Sequence, residues 1–136
     1  MPPMSPTEIE TFLQAPRHAV IGVNRPEGPP HLSPVWYLYE EGLFTISIAT
    51  TTVKYRLLRG DPRVSLCIDG GYPDYRTVIV TGVAELHPND EAVRRRIIRR
   101  YYETEADAQC YADSTRGASH VLVVVRPERV IGQDYN

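Results

Sequence analysis

Lys54 is the residue around which a binding site can be built from residue types and spacing alone. It sits in the stretch GLFTISIATTTVKYRLLRGDPRVSLCID, from Gly42 to Asp69. Two short runs rich in β-branched residues, Leu43–Ala49 and Val64–Ile68, flank a polar, cationic segment, and each reads as a strand. Between them, Thr50, Thr51 and Thr52 supply hydroxyls, and Thr52 is placed to cap a short helix running to Arg59. Gly60-Asp61-Pro62 stops that helix and starts the next strand. A strand end, a hydroxyl-rich turn and a helix N-terminus therefore meet within reach of Lys54 and Arg56. Free backbone N–H groups at a positive helix end attract anions, and a lysine adds a point charge suited to phosphate. The same pattern also fits an ordinary helical crossover with solvated basic residues.

Other chemistry-bearing residues are more scattered. There is no G-x-G-x-x-G, Walker or G-x-S-x-G pattern. His18, His31, His87 and His120 lie far apart without metal-ligand spacing, so no metal site is expected. His120 reads as a polar residue at a strand end. Cys67 and Cys110 make no disulfide framework, and Cys67 reads as a small core residue. Arg94-Arg95-Arg96 and Arg99-Arg100 resemble a nucleic-acid patch, but Glu91, Glu103 and Glu105 offset their charge. Trp36 and its neighbouring tyrosines suit either stacking on a planar ligand or a core or subunit contact.

The elements that must position these residues belong to a single domain of 136 residues with 42% hydrophobic content. A net charge of −2 argues against a nucleic-acid partner. The N-terminus lacks a signal-peptide pattern, and Val121–Val125 is too short a run to span a bilayer, so a cytoplasmic protein with no membrane partner is expected.

Met1–Pro6 reads as a loose leader, and Ser5 or Thr7 can cap a helix carrying Ile9, Phe12 and Leu13. Ala19–Val23 is the first strand. Leu32–Tyr39 is the second, with Val35, Tyr37 and Tyr39 on one face and Trp36 and Leu38 on the other. Pro34 inside it calls for an edge position or a bulge. Glu40-Glu41-Gly42 turns the chain into Leu43–Ala49. After Val64–Ile68 comes a long strand, Arg76–Leu86, in which Gly82 predicts a bulge or bend. Pro88 opens a helix over Asn89–Tyr102 with Val93, Ile97, Ile98 and Tyr101 as its apolar stripe and the arginines around the rest. The segment Glu103–Arg116 is polar and partly helical. Ala118–Val130 is the last strand, with Pro127 placing a kink near its end. The expected fold is a β-rich α+β domain: a six-stranded antiparallel split β-barrel with three short connecting helices, closed to remove exposed edges.

The run SIATTTVKYRLLRGDPRVSLCID resembles the split β-barrel family of flavin and deazaflavin proteins, which includes the pyridoxamine 5′-phosphate oxidases and the deazaflavin-dependent reductases. HLSPVWYLYEEGLFTISIA, VIVTGVAEL and V-x-PERV at Val125–Val130 extend the resemblance over nearly the whole chain. It implies that Lys54 binds a phosphate and that Ser47, Ile48 and Ala49, followed by Thr50 and Thr52, contact the cofactor. It also implies that Ser33, Pro34 and Val35 flank the ring, and that a further contact falls near Arg76–Thr77, taken as Thr77. An arginine common just before the family lysine is replaced here by Thr52 or Val53, so Arg56 and Arg59 are expected to support the phosphate. The sequence ends at Asn136 without the arginine-bearing extension of the vitamin B6 oxidases. The resemblance therefore points to an oxidoreductase that passes a hydride from reduced coenzyme F420 to a small unsaturated substrate. FMN, and a non-catalytic cofactor-binding protein, stay open as alternatives. A homodimer with cofactor sites at the subunit interface is implied. No residue stands out as a catalytic acid.

Overall fold

The computed structural model describes residues 2–136. Its elements, in chain order, are α1 (Pro6–Gln14), β1 (His18–Val23), β2 (His31–Val35), β3 (Leu38–Glu40), β4 (Leu43–Ala49), α2 (Val53–Gly60), β5 (Arg63–Asp69), β6 (Arg76–Pro88), α3 (Glu91–Arg100), α4 (Glu105–Thr115) and β7 (His120–Asp134). The strands form one antiparallel sheet in the order β2-β1-β5-β6-β7-β4-β3.

That order explains the shape. β2 and β3 occupy opposite edges of the sheet, yet only Trp36 and Tyr37 separate them in the chain. Val35 and Leu38 are three Cα–Cα steps apart, at most about 11 Å, so the sheet must curl until its edges approach each other. The result is a barrel with one seam. The expected single strand Leu32–Tyr39 is therefore two strands, and the sheet has seven strands rather than six. Side-chain alternation runs unbroken through the break: Val35, Tyr37 and Tyr39 enter the barrel core while Trp36 joins a second cluster outside it. Pro34 lies on an edge strand, where a missing N–H costs no ladder bond.

β4 and β5 alternate strictly. Phe44, Ile46 and Ile48, and Val64, Leu66 and Ile68, point into the core. Cys67 falls on the opposite phase and faces out, which corrects its reading as a core residue. Glu41 and Gly42, both at positive φ, make the two-residue turn between β3 and β4. The β6–β7 register shifts at Thr81/Gly82, where Glu128 is bulged out of the pairing. A Cβ on Gly82 would collide with the Arg126 carbonyl, so glycine is required there.

The N-terminal segment is not a loose leader. Pro3 bridges to Gln133, the Met4 N–H donates to the Gly132 carbonyl at 2.9 Å, and Met4 is buried. Met1, the first residue of that expected leader, lies outside the described residues. Ser5 caps α1 in a capping box with Glu8, and Pro6 is the first helical residue. Pro88 ends β6 instead of opening a helix; Asp90 caps α3 by accepting from the N–H groups of Ala92 and Val93. The polar segment after it forms α4, a fourth helix, capped by Thr104. α3 and α4 pack as a hairpin on the outer face of β4, with Ile98, Ala108, Ala112, Trp36 and Tyr102 as their own apolar cluster.

Candidate functional site

Three local consequences of the sequence create an opening at the seam. First, β3 is short: its pairing with β4 stops at Thr45, so Ile46–Ala49 has no strand on that side. In a two-residue hairpin the flanking pair, Glu40 and Leu43, exchanges backbone hydrogen bonds, and every second residue repeats that orientation. Ser47 and Ala49 thus turn their backbone polar groups toward the seam. Thr52 takes the Ala49 carbonyl, through its N–H at 3.2 Å and its hydroxyl at 2.7 Å. Second, the Ser47 hydroxyl is buried and has no hydrogen-bond partner among the described residues, a state that costs about 1–3 kcal/mol when nothing fills it. Third, α2 starts directly after β4 and aims its first residues back across the gap.

Lys54, on the first turn of α2, donates to the Ser33 hydroxyl on β2 at 3.2 Å. No carboxylate pairs with it among the described residues. Burial alone pushes its pKa down from the ordinary lysine value. A half-buried ammonium without a counterion, beside a free strand edge, is poised to take an anion. The Thr52 hydroxyl caps α2 as expected: it accepts from the Tyr55 N–H while donating to the Ala49 carbonyl, so the cofactor contact implied for it has to coexist with the cap.

These features surround a cavity of about 400 Å³ between the seam and the α3–α4 hairpin. Of the residues singled out from sequence, Pro34, Val35, Ser47, Ile48, Ala49, Thr52 and Lys54 line it. Ser33 joins them through Lys54. Thr50 does not line the cavity; its backbone N–H donates to the Ser119 carbonyl at 2.9 Å. Arg56 and Arg59 do not line the cavity; both are exposed, and Arg59 lies over the Tyr55 ring. Thr77 is on β6, in the cross-strand row His18–Asp69–Thr77–Gln133; His18 lines the cavity, whereas Thr77 does not.

The sequence reading missed the other wall. Arg94, expected among the solvated arginines of α3, is 2% exposed and lines the cavity. It pairs with Glu91, donates to the Ala112 carbonyl at 3.3 Å and contacts the Thr115 hydroxyl. His120 lies beside it; burial, then the Arg94 charge, lowers its pKa from the usual histidine value. Trp36 stacks on Tyr101 at 4.9 Å between centroids and also touches Tyr111 at 5.3 Å. Trp36 and Tyr111 both face the cavity. Among the described residues no three of His, Cys, Asp or Glu gather into a metal-holding group. None of the helices there is long and apolar enough to cross a membrane.

The same architecture occurs in solved structures. One described as an F420 reductase is 25% identical, with 89% of this chain and 94% of that chain covered and a TM-score of 0.72. A conserved hypothetical protein from Mycobacterium tuberculosis is 29% identical over 96% of this chain and 85% of that one, with a TM-score of 0.76. An FAD-binding protein from Mesorhizobium loti shares the fold at 20% identity, covering 99% and 98% of the two chains, with a TM-score of 0.72. No curated protein matches the chain. The family model described as pyridoxamine 5′-phosphate oxidase matches residues 5–134, a span that takes in every strand, the seam and both helices over the cavity. With that match over nearly its whole length, the chain belongs to the pyridoxamine 5′-phosphate oxidase family.

Proposed function

We propose that this protein is a reductase that takes a hydride from reduced coenzyme F420 and delivers it to a small unsaturated organic molecule. The carrying observation is the seam. An unpartnered Ser47 hydroxyl and an unpaired strand edge lie in the same cavity as Lys54, which faces no carboxylate. A deazaflavin ring has a polar edge that a strand edge can bind, and a phosphate that suits a lysine at a helix N-terminus. The donor set of this chain fits such a group.

In this reading Ser47 and the β4 backbone hold the ring edge. Lys54 and the first N–H groups of α2 take the phosphate. Ser33, Pro34 and Val35 flank the ring and exclude water. When bound, the cofactor supplies the two-electron hydride chemistry. Arg56 and Arg59, exposed beyond Lys54, suit a long anionic tail better than a compact phosphate. Arg63, at the start of β5, is paired with Asp61 at 2.8 Å and adds no free charge to them. The likeness to a structure described as an F420 reductase, at 25% identity over most of both chains, supports the deazaflavin over FMN.

The proposal includes a homodimer. Pro34, Val20, Cys67, Ile79 and Ile131 form one cross-strand row of exposed residues over five strands. The row begins at the cavity wall, at Pro34. A second copy covering it would close the open side of the cavity and bring its own Thr77 row close to the site.

Anaerobic mixing of the protein with reduced F420 and a set of conjugated acceptors tests the reading. Return of oxidised-deazaflavin absorbance only with protein and acceptor together is expected. Binding without turnover would make this a cofactor-holding protein, and tighter binding of FMN would transfer the reading to a flavin.

A further inference from the structure

The cavity has a second polar group of residues, on the β7 flank of β4, that the cofactor reading leaves unused. His120 pairs with Ala49 across the β4–β7 ladder and so shares its face. Arg94 from α3, with Tyr111 and Thr115 from α4, completes this wall. A charged side chain as buried as Arg94 is expensive unless its hydrogen bonds are satisfied. A guanidinium carries five N–H donors. Glu91, Ala112 and Thr115 take three. Two remain without a partner among the described residues, on a group that lines the cavity. The neighbouring aromatics are already arranged as flat surfaces: Trp36 lies within 8° of parallel to Tyr101, with Tyr111 tilted against it.

We propose that Arg94 and His120 form an oxygen-binding subsite for the substrate, which is a planar molecule whose ring lies against Trp36 and Tyr111 and whose carbonyl or oxyanion accepts from the two side chains. The assignment rests on the reductase reading, in which Lys54 and Ser47 are taken by the cofactor. It adds which wall receives the second molecule and by which atoms. Burial and the Arg94 charge disfavour the imidazolium form of His120, so its imidazole can donate through one nitrogen without adding a second full cation beside Arg94. Glu91 balances the Arg94 charge, so an uncharged carbonyl is received as readily as an anion. In a reduction, the hydride forms a C–H bond at the far carbon of the conjugated system and the π pair moves onto this oxygen. A solvent proton then completes the product, while the deazaflavin donor is oxidised by two electrons. Fixed donors at that oxygen stabilise the charge as it develops.

The test uses cinnamamide, an uncharged planar conjugated carbonyl, titrated into the full chain and followed by the indole N–H resonance of Trp36, the only tryptophan. His120→Ala should weaken cinnamamide about tenfold, the worth of a hydrogen bond in a closed site, and Lys54→Ala should leave it within about twofold. Arg94→Lys should weaken it as well, provided the variant keeps the parent melting temperature. His120→Ala decides the matter if that variant does not fold, because its imidazole holds no other element in place. F420 titrated into the same proteins should show the reverse order, with loss in Lys54→Ala and retention in His120→Ala. Equal cinnamamide affinity in parent and His120→Ala, or loss only in Lys54→Ala, overturns the subsite while leaving the cofactor reading intact. A parent that binds cinnamamide through His120 but does not bind F420 overturns the cofactor reading and leaves the subsite standing.

Discussion

The Lys54 ammonium lies 3.2 Å from the Ser33 hydroxyl, and this hydrogen bond ties α2 to the edge strand β2 across the seam. Lys54 reaches from the helix that follows β4, and Ser33 belongs to β2. The charge is therefore held over the seam with a neutral partner. Replacing Lys54 by alanine should weaken cofactor binding by about 1.5–3 kcal/mol, the usual worth of a hydrogen bond to a charged group. The fold should survive, because the core packs beneath the lysine without it. Fluorescence titration of parent and variant checks this; equal affinities remove Lys54 from the site.

The same lysine sets a pH dependence. Burial lowers its pKa, so it loses its proton at a lower pH than an ordinary lysine. A bound phosphate favours the protonated form, so binding takes up a proton once the free protein has lost it. Affinity should be flat below the lowered lysine value and fall as pH rises through it. In Lys54→Arg, where the charge does not titrate, the alkaline fall should disappear. An identical alkaline fall in both proteins would assign it to another group.

Ser47→Ala separates stability from binding. The hydroxyl is buried and unpartnered, so its removal relieves a desolvation cost of about 1–3 kcal/mol in the free protein. The variant should melt no lower than the parent and bind cofactor more weakly. A lower melting temperature with unchanged affinity would mean that the hydroxyl serves the fold.

Much of this site was legible because β4 and α2 obey local rules. The alternation of Phe44, Ile46 and Ile48 fixes which residues turn outward, and Thr52 announces the helix start. The same period-two rule, applied to Val64, Leu66 and Ile68, already places Cys67 on the outside; the apolar character of cysteine hid it. The strand break at Trp36–Tyr37 left no trace, because inward and outward residues keep alternating across it. Arg94 was invisible for a different reason. Its burial is created by α4, whose polar sequence carries little helical periodicity, so nothing near Arg94 distinguishes it from Arg95 or Arg96.

The tail of the cofactor is the next discriminator. Exposed cations such as Arg56 and Arg59 contribute about 0–1 kcal/mol each and are screened by salt. F420 binding should weaken as ionic strength rises, and more steeply than binding of a version trimmed to its phosphate. Side-by-side titrations at low and moderate salt, with FMN as the third ligand, measure this. No effect of tail length would leave these arginines as ordinary surface charges.

The outward row through Val20, Cys67, Ile79 and Ile131 predicts self-association. The protein should scatter light as a dimer at micromolar concentration, and Ile79→Glu, the β6 member of the row, should shift it to monomer. Ile79 is 37% exposed and points away from the core, so the variant should keep its secondary structure. A monomeric parent would remove the second copy from the site.

A barrel whose two edges are consecutive in the chain has a natural place to come undone. Every other neighbouring pair of strands is zipped by a ladder, whereas β2 and β4 line one cavity with no ladder between them, crossed by the Lys54–Ser33 hydrogen bond from α2. Thermal opening should therefore start there, as an unbuttoning of His31–Val35 from one side and Leu38–Glu40 from the other. A ligand that grips both banks acts as a clasp. It should slow amide exchange in these two segments before it changes exchange anywhere else in the sheet.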